Sequence, residues 1–327
     1  MNIIQRLSAR LSNLIFVMYT PANMGNQIEI NSDEIRELFP LPKSDPKTKR
    51  YPPSAVRELA EKQKFVYPKK NVIYHCLKGG ASKTTLAYNS AFRLSQLGAR
   101  VLLVDLDKQA NATHSFDMAK PENVFVDVVT GKCAIQDTIR RVGEYLDLLP
   151  SSLENARLEM ELIHRKKNPS SYYKSIFAPV RESYDFVIMD LPPDLSHNTY
   201  LSSLFADIIC IPTNPDEYSV HGMKLTLSSI EGIQQEFDIK GQEVWVVWAK
   251  FDPRERSSLH FISDIRDLPP ARILPTVVRT DVTFKNAQEK ALSVFQLGKQ
   301  SNARDDVDAL AQELIGFKDF FGTKGEA

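Results

Sequence analysis

Lys78-Gly79-Gly80-Ala81-Ser82-Lys83-Thr84-Thr85 lies between an apolar run, Val72 to Cys76, and a helix-like run, Lys83 to Leu97, that stops at Gly98. It reads as a phosphate-binding loop. Gly79 and Gly80 let successive backbone N–H groups turn inward, and the helix opening near Lys83 adds the positive end of its dipole. The ordinary pattern has Gly at both ends of the loop before Lys-Ser/Thr, whereas here Leu77 and Ser82 hold those places and Lys83-Thr84 follow. Lys83 is expected to reach β- and γ-phosphate oxygens, and Thr84 to offer its hydroxyl to Mg²⁺. Lys78, at the entrance, is a second ammonium that is costly unless extra negative charge meets it. Ser82 adds a Cβ where the chain packs closely, so a shift of loop geometry is expected without loss of binding.

Working outward, apolar strand-like runs alternate with helix-like runs from Asn71 onward, the signature of a mainly parallel sheet covered by helices on both faces. The expected strands are Val72–Cys76, Arg100–Leu106, Tyr145–Leu149, Phe186–Asp190, Ile208–Pro212, Val244–Ala249 and Arg272–Val277. Ligands of such α/β folds gather beyond the carboxyl ends of the strands. Asp105, Asp107 and Asp190 stand at such ends, and strand alternation predicts that Asp105 and Asp107 share a face. Asp190 after Phe186-Val187-Ile188-Met189 fits a carboxylate that holds a magnesium-bound water.

The chain has 327 residues, enough for one large α/β domain with an appendage. Lys plus Arg and Asp plus Glu each count 41, so any nucleic-acid surface is a local patch rather than a global excess of charge. Cys76, Cys133 and Cys210 are far apart without Cys-x-x-Cys spacing, which argues against a zinc site or a disulfide framework and for buried thiols in a reducing cytoplasm. The apolar run Leu14–Tyr19 is too short for a membrane span. Residues 1–68 lack strand–helix alternation and are expected to form a small helical N-terminal extension; residues 69–327 form the main domain.

Three motifs together carry a family resemblance: the loop at 78–85, Val104-Asp105-Leu106-Asp107-Lys108-Gln109-Ala110-Asn111-Ala112-Thr113, and Asp190-Leu191-Pro192-Pro193. In order and spacing they resemble the signatures of the ParA partition ATPases, over residues 70 to 315. The resemblance implies a P-loop NTPase-like fold with a deviant Walker loop and a nucleotide sandwich dimer, in which Lys78 crosses to the partner's phosphates. It implies that Lys78, Lys83 and Asp107 are catalytic, Asp107 positioning the attacking water, and that Thr84, Asp105 and Asp190 organise Mg²⁺. Purine contacts are implied near Lys250 and Asp252. The sequence departs from the family at Ser82, usually Gly, and at Lys108, usually Pro, a second cation beside the carboxylates.

Between Asn31 and Lys62 the chain reads helix, turn, helix, with Lys43, Lys47, Lys49 and Arg50 in the turn. This is similar to the operator-binding extension of longer plasmid ParA proteins; a basic loop in a docking arm accounts for the same residues. Arg272, Arg279, Lys285, Lys290 and Lys299 are candidates for non-specific DNA contact, and each also reads as an ordinary solvated charge. Val307, Leu310, Leu314, Phe317, Phe320 and Phe321 have helical spacing. The polar face lacks the basic excess that lipid attracts, so a helix packed on the domain is expected rather than a membrane-seeking tail.

The expected function is a cytoplasmic, nucleoid-associated, Mg²⁺-dependent ATPase that segregates plasmid or chromosomal DNA. It would dimerise on ATP, bind DNA and hydrolyse ATP when a ParB-like centromere-binding partner stimulates it. The alternative is an ATP-switched DNA-binding repressor or cargo-positioning protein with little turnover. An iron–sulfur reductase of the same superfamily would need two suitably placed cysteines per subunit, which Cys76 and Cys210 do not offer.

Overall fold

The computed structural model describes residues 52–255, 261, 271–297, 300–317 and 320. Lys43, Lys47, Lys49, Arg50, Lys299 and Phe321 lie outside them. Eight strands form one sheet: β1 (Lys70–Tyr74), β2 (Val101–Asp105), β3 (Arg140–Arg141), β4 (Leu146–Leu149), β5 (Phe186–Asp190), β6 (Ile208–Thr213), β7 (Glu243–Phe251) and β8 (Arg272–Arg279). Their order is β3-β4-β2-β5-β1-β6-β7-β8, with β3 antiparallel to β4 and every other pairing parallel.

The helices are α1 (Pro53–Lys62), α2 (Lys83–Gln96), α3 (Asn111–His114), α4 (Phe125–Thr130), α5 (Ile135–Thr138), α6 (Leu158–His164), α7 (Pro169–Arg181), α8 (His197–Phe205), α9 (Glu217–Glu236), α10 (Val282–Gln288) and α11 (Asn302–Ile315). The central strands are apolar almost throughout because both faces are covered. Alternate residues enter two cores: Val72, Tyr74, Leu103 and Ile188 pack with α1, α2 and α11, while Ile73, Leu102, Val104 and Val187 pack with α4 and α6–α9. From β1 the chain moves first to one side of the sheet and later, through β6, to the other. This places the loop after β1 at the switch point, where a crevice opens.

The expected strands all form, with ends that coincide or shift by one or two residues; the two-residue β3 had no periodicity to announce it. Helix α2 ends where Gly98 takes a left-handed φ of 89°. Gly98 has a second role, because a Cβ there would lie 2.5 Å from the Tyr67 hydroxyl and 2.8 Å from the Arg57 backbone nitrogen. Residues just before β1 are thus stitched to the sheet domain. Tyr67 donates to the Leu97 carbonyl at 2.9 Å, and Arg57 pairs with Asp185 at 2.6 Å. Phe65 meets Phe317 edge to face at 4.6 Å, so the segment before β1 and the end of the described chain share one aromatic cluster.

Helix α11 packs on the domain as its spacing predicts, with Val307, Leu310, Leu314 and Phe317 buried. Ser301 caps its start, and Arg93 of α2 makes a buried ion pair with its Asp308. Among the described residues no helix is long and apolar enough to cross a membrane.

Candidate active site

The crevice at the switch point is a cleft of about 570 Å³. The loop residues Gly79 to Thr85, with Asp107 and Pro193, form one end; Val278 to Asp281, Phe284 and Gln288 form the other. Lys250 also lines it.

In the loop, Gly80 has φ 74° and Ser82 has φ 67°, both left-handed. Glycine enters that region freely, but Ser82 bears a Cβ, at a cost of about 1–2 kcal/mol. Ser82 takes the left-handed conformation that glycine adopts freely and bears the strain. Lys83 opens α2 and folds back into the loop, donating to the carbonyls of Cys76 at 3.0 Å and Lys78 at 3.1 Å. Burial lowers its pKa, partly offset by Asp190 and Asp107. Carbonyls are weak partners for a buried ammonium, so a phosphate arriving there gains a preformed cation.

Lys78 does not line the cleft. Its ammonium lies 5.8 Å from the ring centroid of Tyr218, which is 77% exposed at the start of α9. The loop packs closely on this helix, since a Cβ on Gly222 would sit 3.4 Å from the Lys78 Cβ.

Asp105 and Asp190 are in-register partners on β2 and β5, both fully buried. Burial raises both pKa values; the Asp105 charge raises Asp190 further, and the Asp107 charge raises Asp105. Their bonding differs. Asp105 accepts the Thr113 N–H at 2.8 Å, the Thr113 hydroxyl at 2.7 Å and the Asp107 N–H at 3.2 Å. It holds the segment 107–113 in place. Neither Asp190 oxygen is hydrogen-bonded. The neighbouring Thr84 hydroxyl and Lys83 ammonium favour its ionised form, although the hydroxyl is not at bonding geometry. Two bare oxygens beside a threonine hydroxyl are a donor set suited to Mg²⁺, which takes one or two carboxylates and completes its shell with phosphates and water. Among the described residues no group of three or more His, Cys, Asp or Glu could hold a metal ion without such help.

Asp107 stands beyond the end of β2, so loop geometry rather than strand alternation orients it. Its Oδ1 accepts the Gln109 N–H at 2.9 Å, and its carbonyl accepts the Ser151 hydroxyl at 2.7 Å. Asn155 in turn donates to Ser151 at 2.8 Å. Ala110 closes this turn at φ 55°, a second non-glycine residue in the left-handed region beside the cleft. Lys108 is exposed.

Lys250, at φ 52°, donates to the Gly80 carbonyl at 2.9 Å, so it steadies the phosphate loop. Asp252 does not line the cleft; Arg254 holds it through two bonds of 2.9 and 2.7 Å and lowers its carboxyl to about 2. Arg279 lines the cleft and is bound bidentately by Asp306 at 2.9 and 2.6 Å. Lys285 is exposed and its nearest acidic partner, Glu289, is 3.8 Å away. Cys76 and Cys210 are fully buried thiols. From the sequence, Ser151 and Thr113 carry no role of their own, and the stretch Val278–Gln288 is not placed at the cleft, although Arg279 and Lys285 within it are candidates for DNA contact. That stretch follows the expected strand at Arg272–Val277, and that strand's carboxyl end was the available signal.

A family model described as an AAA domain matches residues 69–242. The probable plasmid-partitioning protein ParA of Thermus thermophilus is 32% identical over 253 residues, covering 72% of this chain and 75% of that protein. The sporulation initiation inhibitor protein Soj of Bacillus subtilis is 26% identical over 240 residues, covering 72% of this chain and 94% of Soj. Among solved structures, apo McdA from Cyanothece superposes with a TM-score of 0.68 at 21% identity, over 75% of this chain and 99% of McdA. That likeness is one of fold.

Proposed function

The chain belongs to the ParA-type partition ATPases, and from that premise we propose that it is a Mg²⁺-dependent ATPase that separates DNA copies through an ATP-dependent dimer. The observation that carries the proposal is the divergence of two lysines on one loop: Lys83 is folded among its own loop's carbonyls, whereas Lys78 points out of its own cleft toward Tyr218. An outward ammonium beside a phosphate loop is suited to phosphates bound by a second copy of the chain. Lys83 and the backbone N–H groups of residues 79–85 would hold the β- and γ-phosphates, and Lys250 would fix the loop.

Thr84 and Asp190 would hold Mg²⁺, with Asp105 positioning rather than ligating. The ion would neutralise charge on the transferred phosphoryl oxygens. Asp107, fixed through Ser151 and Asp105, would orient the attacking water. The base would rest between Lys250 and the stretch Val278–Gln288. A chain-wide electrostatic pull on DNA is absent, so DNA contact would rest on local lysines such as Lys285 and on Lys47, Lys49 and Arg50 of the 1–68 extension. A ParB-like centromere-binding partner would stimulate hydrolysis, and the protein would act on the nucleoid.

The left-handed Ser82 favours a second reading, a nucleotide-switched repressor or cargo-positioning protein with little turnover. Single-turnover ATP hydrolysis, with and without DNA and the partner encoded beside the gene, separates the two. Hydrolysis that rises on adding both supports the partition ATPase; intact ATP binding without hydrolysis under any combination contradicts it.

A further inference from the structure

A second cavity of about 100 Å³ lies between α8, α9 and the carboxyl end of β1. Thr199, Tyr200, Ser203, Thr226 and Ser229 line it with hydroxyls, and His75 forms a wall. His75 is only 1% exposed, and neither ring nitrogen is hydrogen-bonded. Native interiors almost always give such a group a partner, because leaving it unpaired sacrifices its hydration for nothing.

Hydrogen-bond directions on the walls limit what that partner is. The Ser203 hydroxyl donates to the Thr199 carbonyl at 2.9 Å, the Thr226 hydroxyl to the Gly222 carbonyl at 2.8 Å, and the Thr199 hydroxyl to an Asp194 oxygen at 3.3 Å. Their protons are committed while lone pairs remain. Thr226 Oγ1 spends one lone pair on the Leu77 N–H at 3.2 Å. Burial and the nearby Lys83 ammonium keep the imidazole neutral, and the Pro192 carbonyl approaches the ring without reaching bonding geometry, so the ring adds one acceptor and one donor. No charged side chain lines the space, and a bare ion would enter without a counter-charge.

We infer that this cavity is a binding site for a small uncharged group rich in donors, of the primary carboxamide class. Its NH₂ meets the lone pairs of Ser203 and Thr226, and its carbonyl accepts from the His75 ring. The size agrees, since a cavity of about 150 Å³ holds benzene and a small amide such as acetamide needs less. The location adds a consequence: Thr226 touches the entry to the phosphate loop through Leu77, and Thr199 touches the segment after Asp190 through Asp194. Occupancy of the cavity and nucleotide binding are therefore thermodynamically linked.

A carboxamide comes either free or on an asparagine or glutamine side chain of another protein. The test records ¹H–¹⁵N NMR of the His75 ring in the full-length protein during titration with acetamide and, separately, with N-acetylglutamine methylamide. A saturable millimolar shift with acetamide alone supports a free ligand, and tighter saturation by the glutamine derivative supports a side chain. Saturation by neither overturns the site. Ser229→Leu fills the half-buried mouth and is expected to abolish the shift while thermal unfolding stays unchanged; a persisting shift overturns the assignment. Ser203→Val removes one acceptor and weakens acetamide binding about fivefold; undiminished affinity overturns the proposed bonding. Acetamide affinity is expected to change about fivefold on adding ATPγS, and equal affinities overturn the linkage.

Discussion

Asp105 and Asp190 stand side by side as register partners on β2 and β5, yet one accepts three hydrogen bonds and the other none. Such an arrangement is poor for the stability of the nucleotide-free protein and good for capturing a cation. The bare Asp190 is the group whose burden a magnesium nucleotide would relieve.

Replacing Asp190 with Asn tests that relationship. Its pKa is raised in the folded state, so the protonated form is favoured by folding; its stabilising contribution is complete below the unfolded carboxyl pKa and is lost as pH rises through the folded value. At neutral pH, Asp190→Asn is therefore expected to stabilise the nucleotide-free protein by about 1–3 kcal/mol and to flatten the fall of stability with rising pH. Urea unfolding at a series of pH values measures both, and magnesium-dependent ATP binding should weaken in the same variant.

Ser82 is expected to respond in the opposite sense to most loop mutations. Ser82→Gly removes the cost of a Cβ at φ 67° and should stabilise the protein by about 1 kcal/mol, read as a higher urea midpoint with an unchanged slope. A lower midpoint would show that the serine side chain contributes more than the strain it imposes.

Ser151 sits outside the cleft lining, but its hydroxyl fixes the Asp107 carbonyl. Ser151→Ala is expected to lower kcat about tenfold with little change in KM, because it loosens a positioning contact rather than ground-state binding. Steady-state kinetics over a range of ATP concentrations checks this split.

Gly98 reports on how firmly α1 is joined to the domain. Gly98→Ala places a methyl group 2.5 Å from the Tyr67 hydroxyl and 2.8 Å from the Arg57 nitrogen, at a φ of 89°. A loss of about 3 kcal/mol or more is expected. Gly232→Ala, within α9 and open on all sides to 4 Å, is the control and should gain about 0.5–1 kcal/mol.

The middle of the sheet was legible because strands such as β2, β5 and β6 are buried on both faces, so each is an apolar run that needs no pattern finer than hydrophobicity; Phe186–Asp190 was read to the residue. The phosphate loop, Asp107 and Asp190 were legible because their chemistry sits in contiguous motifs. What escaped was held together only in three dimensions. Nothing local to Ser151 says that it faces the Asp107 carbonyl 44 residues earlier in the chain. The resemblance makes Asp252 a purine contact, and Arg279 reads as a DNA contact or a solvated charge, yet Arg254 and Asp306 bind them, the latter from 27 residues away. The strain at Ser82 was half legible: the missing glycine was evident, but only the backbone shows that serine takes the glycine's conformation.

The central claim is that Lys78 works across a dimer interface while Lys83 works within its own loop. Light scattering behind size exclusion, with Mg²⁺ and ATPγS present, tests it on Lys78→Ala. The native chain should elute as a dimer, and the variant as a monomer that still binds nucleotide and no longer hydrolyses ATP. A Lys78→Ala protein that dimerises and turns over ATP like the native chain would contradict the account.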